Sequence, residues 1–266
     1  MLEFRNRLAL VTGAGDGIGA MLAKGFASWG MRVCVQDIRA AAAEAVASDI
    51  GNGAFPLVFD VSDRSAAMAA AETLKAKGEP LSLLWINAGA GVGSSLLEGK
   101  QAAIEWAYSV NVMGLIWSAQ AFVPLMDDPS MLRHVGFTAS SASLVPPDGD
   151  YPLYAVTKHG AFAAASALRA ELQQRDIAST ILCPGLLNTN IWDGARARPE
   201  RFGGVKHMDP AISGLWKAAK HPEVMWPSIE KIITQGGGYL TCATDAATKP
   251  NMKTYFSTLE KSIINV

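Results

Sequence analysis

The sequence predicts an α/β fold, a doubly wound parallel sheet of about seven strands with helices on both faces. Short apolar, β-branched runs alternate with alanine-rich helical stretches along most of the chain, as expected for strand–helix–strand units. The chain has 266 residues, of which 50% are hydrophobic, which is enough for one large core. Because no internal repeat or low-complexity linker divides it, a single domain over residues 1–266 is expected.

Seven segments are the strand candidates, because each combines high β-propensity with turn residues on either side. They cover residues 8–11, 32–37, 54–60, 81–87, 133–139, 179–183 and 239–244. The helices between them are predicted at roughly 17–29, 40–50, 63–77, 100–126 and 151–174. Two more helices should flank the last strand, near 226–235 and 251–263.

The segment after the sixth strand is predicted to be a lid over a substrate site. Between about residues 186 and 222 the periodic pattern gives way to glycine, proline, arginine and tryptophan. A connection of this length without a strand or a long helix is usually functional. A helical C-terminal tail is expected at about 249–266.

Charge and cysteine content narrow the possible partners. The formal net charge is -1 at pH 7 and no long basic run occurs, so neither nucleic acid nor an anionic membrane surface is expected to bind. No apolar stretch reaches the roughly 18 residues that a membrane-spanning helix needs. The 3 cysteines are isolated and lack metal-ligand spacing, which indicates reduced thiols, no bound metal and a cytoplasmic location.

A glycine-rich turn follows the first strand and opens the first helix. Its glycines and their neighbours are Gly13, Gly15, Asp16, Gly17, Ile18 and Gly19. Such a turn lets the backbone approach a pyrophosphate, whose charge the helix N-terminus then faces. By itself it is weak evidence, because it also occurs as a plain strand-to-helix connection. Its place in the first strand–helix unit favours a dinucleotide site in a Rossmann-type sheet.

Asp37 strengthens this interpretation because it ends the second strand, 18 residues beyond Gly19. Its carboxylate can accept hydrogen bonds from the adenosine ribose hydroxyls and would repel a 2′-phosphate. This favours NAD over NADP, although Arg39 lies close enough to offset part of the repulsion. A helix cap is the alternative role for Asp37.

Two further strand ends would complete the dinucleotide site. Asp60, followed by Val61, ends the third strand and could accept a hydrogen bond from the adenine amino group. An N-cap at Asp60 explains the residue equally well. Asn87, Ala88 and Gly89 close the fourth strand with small side chains where a cofactor ribose would pass, although the tripeptide alone is an ordinary turn.

Tyr154 and Lys158 are four residues apart in a predicted helix, so their side chains share one face. A cation beside a phenol stabilises the phenolate and lowers the pKa of the hydroxyl from its ordinary value of about 10. The pair therefore predicts a tyrosine that can act as a base. Because Ser141 precedes Tyr154 by 13 residues and the glycine-rich turn lies upstream, the ordered set predicts hydride transfer to or from a nicotinamide.

In this order, and together with Asn111, Ser141 and the dipeptide Pro184-Gly185, these motifs resemble those of the short-chain dehydrogenase/reductase family, in its short, NAD-dependent type. The resemblance covers about residues 5–190. It implies an alcohol dehydrogenase or ketone reductase that uses NAD and acts as a homo-oligomer.

The resemblance also implies a catalytic tetrad, formed by Asn111, Ser141, Tyr154 and Lys158. Tyr154 would be the general base or acid, and Lys158 would lower its pKa and hold the nicotinamide ribose. Ser141 would hydrogen-bond the substrate oxygen, while Asn111 would support a water chain. All four residues carry the functional groups that these roles require, which argues against a family member that has lost catalytic activity.

Two neighbouring serines compete with Ser141 for the catalytic role. They are Ser140 and Ser143. Ser141 is preferred because it alone has the family's spacing of 13 residues to Tyr154.

The segment after the sixth strand resembles the family's Pro-Gly motif, whose backbone and threonine hold the nicotinamide carboxamide. This assigns Pro184, Gly185, Leu187 and Thr189 to the cofactor. The alternative is a loop that ends in a helix cap at Thr189.

Apolar residues are concentrated in the lid and its flank and favour an apolar or aromatic alcohol or ketone as substrate. They are Trp192, Phe202, Met208, Trp216, Met225 and Trp226. Closure of the core is the alternative role for each of them. Arg196, Arg198 and Arg201 could meet a carboxylate or phosphate of the substrate, but a solvated loop face is the favoured interpretation.

The helices that carry Asn111 and Lys158 are expected to pair across a two-fold axis, giving a homodimer or a homotetramer. The family's usual glycine-rich ending is replaced by Gly236-Gly-Gly-Tyr-Leu and a helical tail, which leaves the choice between these two states open.

Two other functions are compatible with the fold. A non-catalytic NAD-binding regulator or scaffold would keep the sheet without turnover, and the complete tetrad argues against it. A sugar-nucleotide epimerase or dehydratase would space its glycines as Gly-x-x-Gly-x-x-Gly, a pattern that this turn does not have.

Overall fold

The structure is a computed structural model and describes residues 4–147, 151–208, 213–243 and 248–261. Its seven strands are β1 (Leu8–Val11), β2 (Arg32–Asp37), β3 (Phe55–Val58), β4 (Leu81–Ile86), β5 (His134–Thr138), β6 (Ala178–Pro184) and β7 (Gly237–Cys242). They form one sheet in the order β3-β2-β1-β4-β5-β6-β7, and every neighbouring pair is parallel. The predicted fold class is confirmed.

Helices flank both faces of this sheet. They are α1 (Gly17–Ser28), α2 (Ala40–Ile50), α3 (Arg64–Lys75), α4 (Gln101–Tyr108), α5 (Gly114–Phe122), α6 (Pro152–Gln173), α7 (Gly214–Lys217), α8 (Trp226–Thr234) and α9 (Thr248–Lys261). The single helix predicted over 100–126 is divided, because a π-helical turn at Ser109–Met113 separates α4 from α5. Residues 262 and 263 of the predicted tail helix lie outside the described residues.

The last strand begins two residues before its predicted start, at Gly237 rather than Tyr239. Glycine weakens a strand interior, so the sequence pattern placed the start after the glycines. The backbone of Gly236, Gly237 and Gly238 has φ values of 89°, 89° and 146°, which glycine adopts readily. The predicted end at residue 244 lies outside the described residues.

Burial follows position in the sheet. All residues of the central strands β1 and β4 are buried, as expected for parallel strands covered on both faces. The outer strands β3 and β7 each have exposed positions. An exposed proline, Pro56, lies in β3, where the missing N–H is tolerated because the strand is at an edge.

Successive residues of β1 contribute to two separate apolar clusters. Leu8 and Leu10 belong to one cluster, together with residues of α3, α5 and α6. Ala9 and Val11 belong to the other, with residues of α1, α2 and α8. Because side chains alternate along a strand, the two clusters lie on opposite faces of the sheet.

The chain order reverses between β1 and its neighbour β4, since β2 and β3 lie to one side and β4 to β7 to the other. In such sheets, ligands bind in the crevice at the carboxyl ends of the strands beside the reversal. The glycine-rich turn leaves β1 at this crevice, and the predicted lid begins just after β6.

The described part of the lid contains only short helical pieces, with 3-10 turns at Asn190–Ala197, Glu200–Phe202 and Pro222–Met225 in addition to α7. Among the described residues, no helix is both long and apolar enough to cross a membrane. The same residues contain no group of three His, Cys, Asp or Glu side chains that could hold a metal ion.

Candidate active site

A cavity of about 770 Å³ opens at the carboxyl ends of the strands. Most of the residues predicted for the cofactor and for catalysis line it, namely Gly13, Asp16, Gly17, Ile18, Asp37, Asp60, Val61, Asn87, Ala88, Gly89, Ser141, Tyr154, Lys158, Pro184, Gly185, Leu187 and Thr189. Gly15, Gly19 and Asn111 are not part of the lining and lie behind it. The structure therefore gathers residues that are up to 176 positions apart, Gly13 and Thr189, around one space.

Two positions of the glycine-rich turn leave no space for a Cβ atom, so they require glycine. Gly13 has φ of 62°, and a Cβ there would lie 2.8 Å from the Cα of Ala88. A Cβ on Gly15 would lie 2.6 Å from Oδ2 of Asp37. Thr12 binds the turn to the end of β4, because its Oγ1 accepts hydrogen bonds from the backbone N–H of Asn87 at 2.9 Å and of Ala88 at 3.1 Å.

Gln36 also holds the turn, a role that the sequence did not suggest. Its Oε1 accepts a hydrogen bond from the N–H of Gly13 at 3.0 Å, and its Nε2 donates to the carbonyl of Phe59 at 2.6 Å. The only sequence feature that could have indicated this role is its position in β2 next to Asp37. Because side chains alternate along a strand, Gln36 and Asp37 point to opposite faces.

Asp37 is 6% exposed and already accepts hydrogen bonds from the protein. Oδ2 accepts from the N–H of Gly15 at 3.0 Å, while Oδ1 accepts from Arg39 through its backbone N–H at 2.9 Å and its Nε at 3.2 Å. The carboxylate is therefore fixed at the cavity wall, and its charge is paired with the guanidinium of Arg39.

Two arginines of the lid reach carboxylates on the opposite wall of the cavity. Asp16 caps α1 by accepting from Gly17, and its other oxygen accepts from Nη2 of Arg196 at 2.9 Å. Asp60 accepts from the N–H of Ser62 at 2.9 Å and from Nη2 of Arg201 at 2.6 Å. These contacts close the lid onto the predicted adenosine end of the cavity.

Arg198 was expected to lie on a solvated loop face, but it is buried. It lines the cavity and is 8% exposed, and its buried Nε has no hydrogen-bond partner in the part of the chain that the structure describes. Its guanidinium lies 5.5 Å from the ring centroid of Trp106. A cation–π contact contributes roughly 0.5–2 kcal/mol, whereas removing an ion from water costs on the order of several kcal/mol.

Lys158 is 4% exposed, and its Nζ donates to the carbonyl of Thr138 at 3.3 Å. Burial lowers the pKa of the ammonium to about 8. A Cβ on Gly89 would lie 3.1 Å from Nζ, so glycine at the end of β4 leaves the space that the ammonium occupies.

The pKa of Tyr154 differs from the expectation. Burial raises the pKa of the phenol above its ordinary value of 10.0, and a hydrogen bond with the Ser140 side chain acts in the opposite direction. Lys158 lies 5.8 Å from the centroid of the tyrosine ring. The expected depression by the ammonium is therefore wrong for this structure, because removal of the phenol from water outweighs it.

Ser140 is the serine whose side-chain hydrogen bond lowers the pKa of Tyr154, whereas the spacing to the tyrosine favoured Ser141. Ser140 is 7% exposed and caps a 3-10 turn, its Oγ accepting from the N–H of Ala142 at 3.1 Å. Ser141 is the first residue of that turn and is half-buried at the cavity wall. The third candidate, Ser143, binds the turn to α6 by donating to the carbonyl of Lys158 at 2.8 Å.

Asn111 is a buried clamp within the π-helical turn. Its Oδ1 accepts from the N–H of Ala90 at 2.8 Å, while its Nδ2 donates to the Ala90 carbonyl at 3.0 Å and to Oγ1 of Thr157 at 2.9 Å. It thereby joins the loop after β4 to α6, the helix that carries Tyr154 and Lys158.

The Pro-Gly segment reaches the glycine-rich turn. Gly185 donates to the carbonyl of Cys242 at 2.8 Å, which fixes the exit from β6. A Cβ on Gly17 would lie 3.1 Å from the methyl group of Thr189, so the threonine faces the start of α1. Leu187 is 3% exposed and belongs to an apolar cluster as well as to the cavity wall.

Several proteins are similar in sequence to this chain. The EphD protein of Mycobacterium tuberculosis, a probable oxidoreductase, is 31% identical over 191 residues, which are 71% of this chain and 32% of that protein. The chain thus spans about a third of the length of this relative. The 1-deoxy-11-beta-hydroxypentalenate dehydrogenase of Streptomyces avermitilis is 32% identical over 217 residues, 79% of this chain and 80% of that protein.

One solved structure similar to this one is a short chain dehydrogenase/reductase from Burkholderia phymatum in complex with NAD. Its TM-score is 0.88 at 26% identity, and the match covers 100% of this chain and 98% of that chain. The model of the short chain dehydrogenase family matches residues 7–200, well over half of the chain. This protein is a member of the short-chain dehydrogenase/reductase family.

Proposed function

We propose that this protein is an NAD-dependent oxidoreductase that interconverts a secondary alcohol and a ketone on an apolar or aromatic substrate. Family membership supports the oxidoreductase class and a nicotinamide cofactor. The finer proposal depends on one observation. Ser140, Tyr154 and Lys158 meet at the wall of a cavity that the glycine-rich turn also lines.

The chemistry of the donors suits a dinucleotide. Asp16 caps the N–H of Gly17 at the start of α1, and the next N–H groups of the first turn, beginning with that of Ile18 at the cavity wall, have no acceptor within the helix. They are suited to hold a diphosphate, and Thr189 faces them from the lid side. A nicotinamide bound here supplies the acceptor or the donor of a hydride.

Tyr154 exchanges a proton with the substrate oxygen through its hydroxyl. Because burial raises the pKa of the phenol, the hydroxyl is protonated at neutral pH and can donate to a ketone oxygen. In the oxidative direction the same oxygen must first lose its proton, and the hydrogen bond to Ser140 lowers the pKa toward that state. General acid–base catalysis of this kind contributes about 10²–10⁴-fold.

We assign stabilisation of the substrate oxygen to Ser140, since its side chain already interacts with the tyrosine hydroxyl. A donor placed at a developing oxyanion contributes about 10²–10³-fold. Lys158 is positioned to bind cofactor hydroxyls from its site beside Gly89. Asn111 acts as a positioning residue, because its amide joins Ala90 in the loop after β4 to Thr157 in α6.

The preference for NAD rests on the charge at the end of β2. The Asp37 carboxylate lines the cavity where adenosine hydroxyls are expected, and Asp16 adds a second carboxylate on the same wall. A 2′-phosphate would meet both negative charges, although each is paired with an arginine, Arg39 or Arg196.

Several apolar side chains of the cavity wall lie outside the cofactor motifs and favour an apolar or aromatic substrate. They are Val92, Val145, Tyr151, Ile191, Trp192 and Trp216. Tyr151 and Trp216 form an edge-to-face pair with ring centroids 6.0 Å apart, which joins the start of α6 to the lid. The name of the Streptomyces avermitilis relative specifies a hydroxylated substrate, in keeping with an alcohol here.

The test is a panel of secondary alcohols, with and without an aromatic ring, offered with NAD and followed by absorbance of the reduced nicotinamide. Turnover of at least one aryl alcohol, abolished in Tyr154→Phe, would support the proposal. If NAD binds tightly but no alcohol or ketone is converted, the protein is a cofactor-binding scaffold instead.

A further inference from the structure

The three arginines of the lid have different surroundings. Arg196 and Arg201 are each paired with a carboxylate of the opposite cavity wall. Arg198 lies between them in the sequence, yet no ion pair of the described residues includes it. Because the other two pairs already close the lid, Arg198 is not needed for that contact.

Arg198 is more than nine-tenths buried and lines the cavity. Among the described residues its Nε has no hydrogen-bond partner, and the face of the guanidinium covers the indole of Trp106 in α4. Stacking on the indole orients the plane of the guanidinium, and the side chain forms part of the cavity lining.

The cavity offers Arg198 no counter-charge of its own. Among the described residues, the carboxylates of the cavity wall are those of Asp16, Asp37 and Asp60. Each of the three is paired with another arginine. Lys100 and Lys206 also line the cavity and are exposed, so the positive charge around Arg198 is reinforced rather than neutralised.

A guanidinium stays charged at all relevant pH values, and a buried charge without a partner destabilises the folded state. A bound oxyanion would remove this cost and would match the planar fork with two parallel hydrogen bonds. We propose that Arg198 binds an anionic group, a carboxylate or a phosphate, carried by the substrate. This inference rests on the proposed function and narrows its substrate class to anionic alcohols or ketones.

The cofactor diphosphate is the competing anion, and the contacts of the lid favour the substrate. Arg196 is the lid arginine that reaches the start of α1, through Asp16. Arg198 is instead packed on α4, through Trp106. The two side chains therefore leave the lid toward different walls of the cavity, and only Arg196 approaches the turn expected to hold the diphosphate.

Binding can be measured without turnover. Benzoate, inorganic phosphate and NAD would be titrated calorimetrically into the full chain and into Arg198→Met, which keeps the packing volume but removes the charge. Arg64→Met is the matched control, because Arg64 is an exposed arginine outside the cavity. We expect Arg198→Met to weaken benzoate binding by about tenfold or more and to change NAD affinity by less than about threefold, with Arg64→Met like the unmutated protein.

A second pair of measurements separates binding from a structural role. Without ligand, Arg198→Met should unfold at the same temperature as the unmutated protein or higher, since an unpaired buried charge has been removed. With NAD, the preference in kcat/KM for 4-(1-hydroxyethyl)benzoate over 1-phenylethanol should fall by about tenfold in the variant.

The outcomes are distinguishable. Loss of NAD affinity instead of benzoate affinity would assign the anion to the cofactor and overturn the proposal. A lower unfolding temperature with unchanged benzoate affinity would make Arg198 structural, and absence of benzoate and phosphate binding to the unmutated protein would also overturn it. If benzoate binding depends on Arg198 but no alcohol or ketone is converted, the anion site stands and the proposed function fails.

Discussion

The interior of the sheet and the wall of the cavity both bury basic side chains, but they treat them differently. In β5, His134 is 1% exposed, and burial lowers its pKa to about 3, so the ring is neutral. Its Nε2 lies 3.0 Å from Oγ1 of Thr180. In the cavity, burial lowers the pKa of Lys158 to about 8, and the buried Arg198 forms no ion pair with any described residue.

This difference separates a basic side chain that the protein itself satisfies from one that needs a ligand as its partner. A neutral ring with a hydroxyl partner satisfies the requirements of a packed interior. A cation that has only a carbonyl or an indole as neighbour does not satisfy them, and sites with perturbed or unpaired ionisable groups are often functional. The cavity is thus the region where substitutions should change chemistry more than stability.

The largest expected effect is at the cavity wall. Tyr154→Phe removes the hydroxyl that exchanges the proton but retains the ring, so turnover should fall by about 10²–10⁴-fold. NAD affinity, measured by calorimetry, should stay within a few-fold. A loss of turnover below tenfold would contradict the assignment.

The two adjacent serines give the next largest effect. Ser140→Ala should lower kcat by about 10²–10³-fold, because the donor to the substrate oxygen is lost. Ser141→Ala is the matched control and should change kcat by less than about threefold. The reverse order of the two variants would restore Ser141 to the catalytic role.

In the sheet interior, the expected effect is on stability and depends on pH. Burial lowers the pKa of His134 from its ordinary 6.5, which applies to the unfolded chain, to about 3 in the folded protein. Between these values only the unfolded chain binds the proton. Stability therefore falls as pH is lowered through this window, by about 2 kcal/mol between pH 7 and pH 5 for this group. Urea unfolding at both pH values should show that slope and its loss in His134→Gln.

Cofactor choice should respond more modestly to the charge at the end of β2. With Asp37 in place, kcat/KM for NAD should exceed that for NADP by at least about tenfold, which corresponds to roughly 1.4 kcal/mol. Asp37→Asn retains an acceptor for the N–H of Gly15 but removes the charge, and it should narrow the gap. Equal use of both cofactors by the unmutated protein would mean that Arg39 outweighs the carboxylate.

The smallest expected effect belongs to the ion pairs that close the lid. The side chain of Arg201 is 46% exposed in its pair with Asp60, and exposed pairs contribute about 0.2–1 kcal/mol. Arg201→Met should therefore speed hydrogen exchange of the lid amides by no more than about fivefold. A much larger increase would show that this pair governs lid opening.

The sheet, the glycine-rich turn and most of the cofactor residues could be predicted, because strand periodicity and glycine placement are local properties of the sequence. Counting back from Tyr154 favours Ser141, whereas the contacts of Tyr154 support our proposal of Ser140. After Ser140 the chain passes through the 3-10 turn at Ser141–Leu144, so the number of residues to Tyr154 does not by itself determine which hydroxyl meets the phenol.

Two expectations were wrong about burial rather than position, namely the lowered pKa of Tyr154 and the solvated face of Arg198. The helical spacing of Tyr154 and Lys158 places both on one face, but the depth of that face below the surface determines the sign of the phenol pKa shift, and spacing carries no information about depth. Arg196, Arg198 and Arg201 are indistinguishable in sequence, because long side chains on irregular turns choose their partners by tertiary contact.

The π-helical turn at Ser109–Met113 has a consequence for how this chain can vary in length. Each residue of an α-helix advances the direction of the side chain by about 100°, and a π turn holds one extra residue. Deleting a residue there would make α4 and α5 one continuous helix and would rotate Trp106 and Phe122 out of their present relative phase. Either the contact of the Trp106 indole with Arg198 or the packing of Phe122 in the core would then be lost. This turn should therefore tolerate substitution far better than deletion.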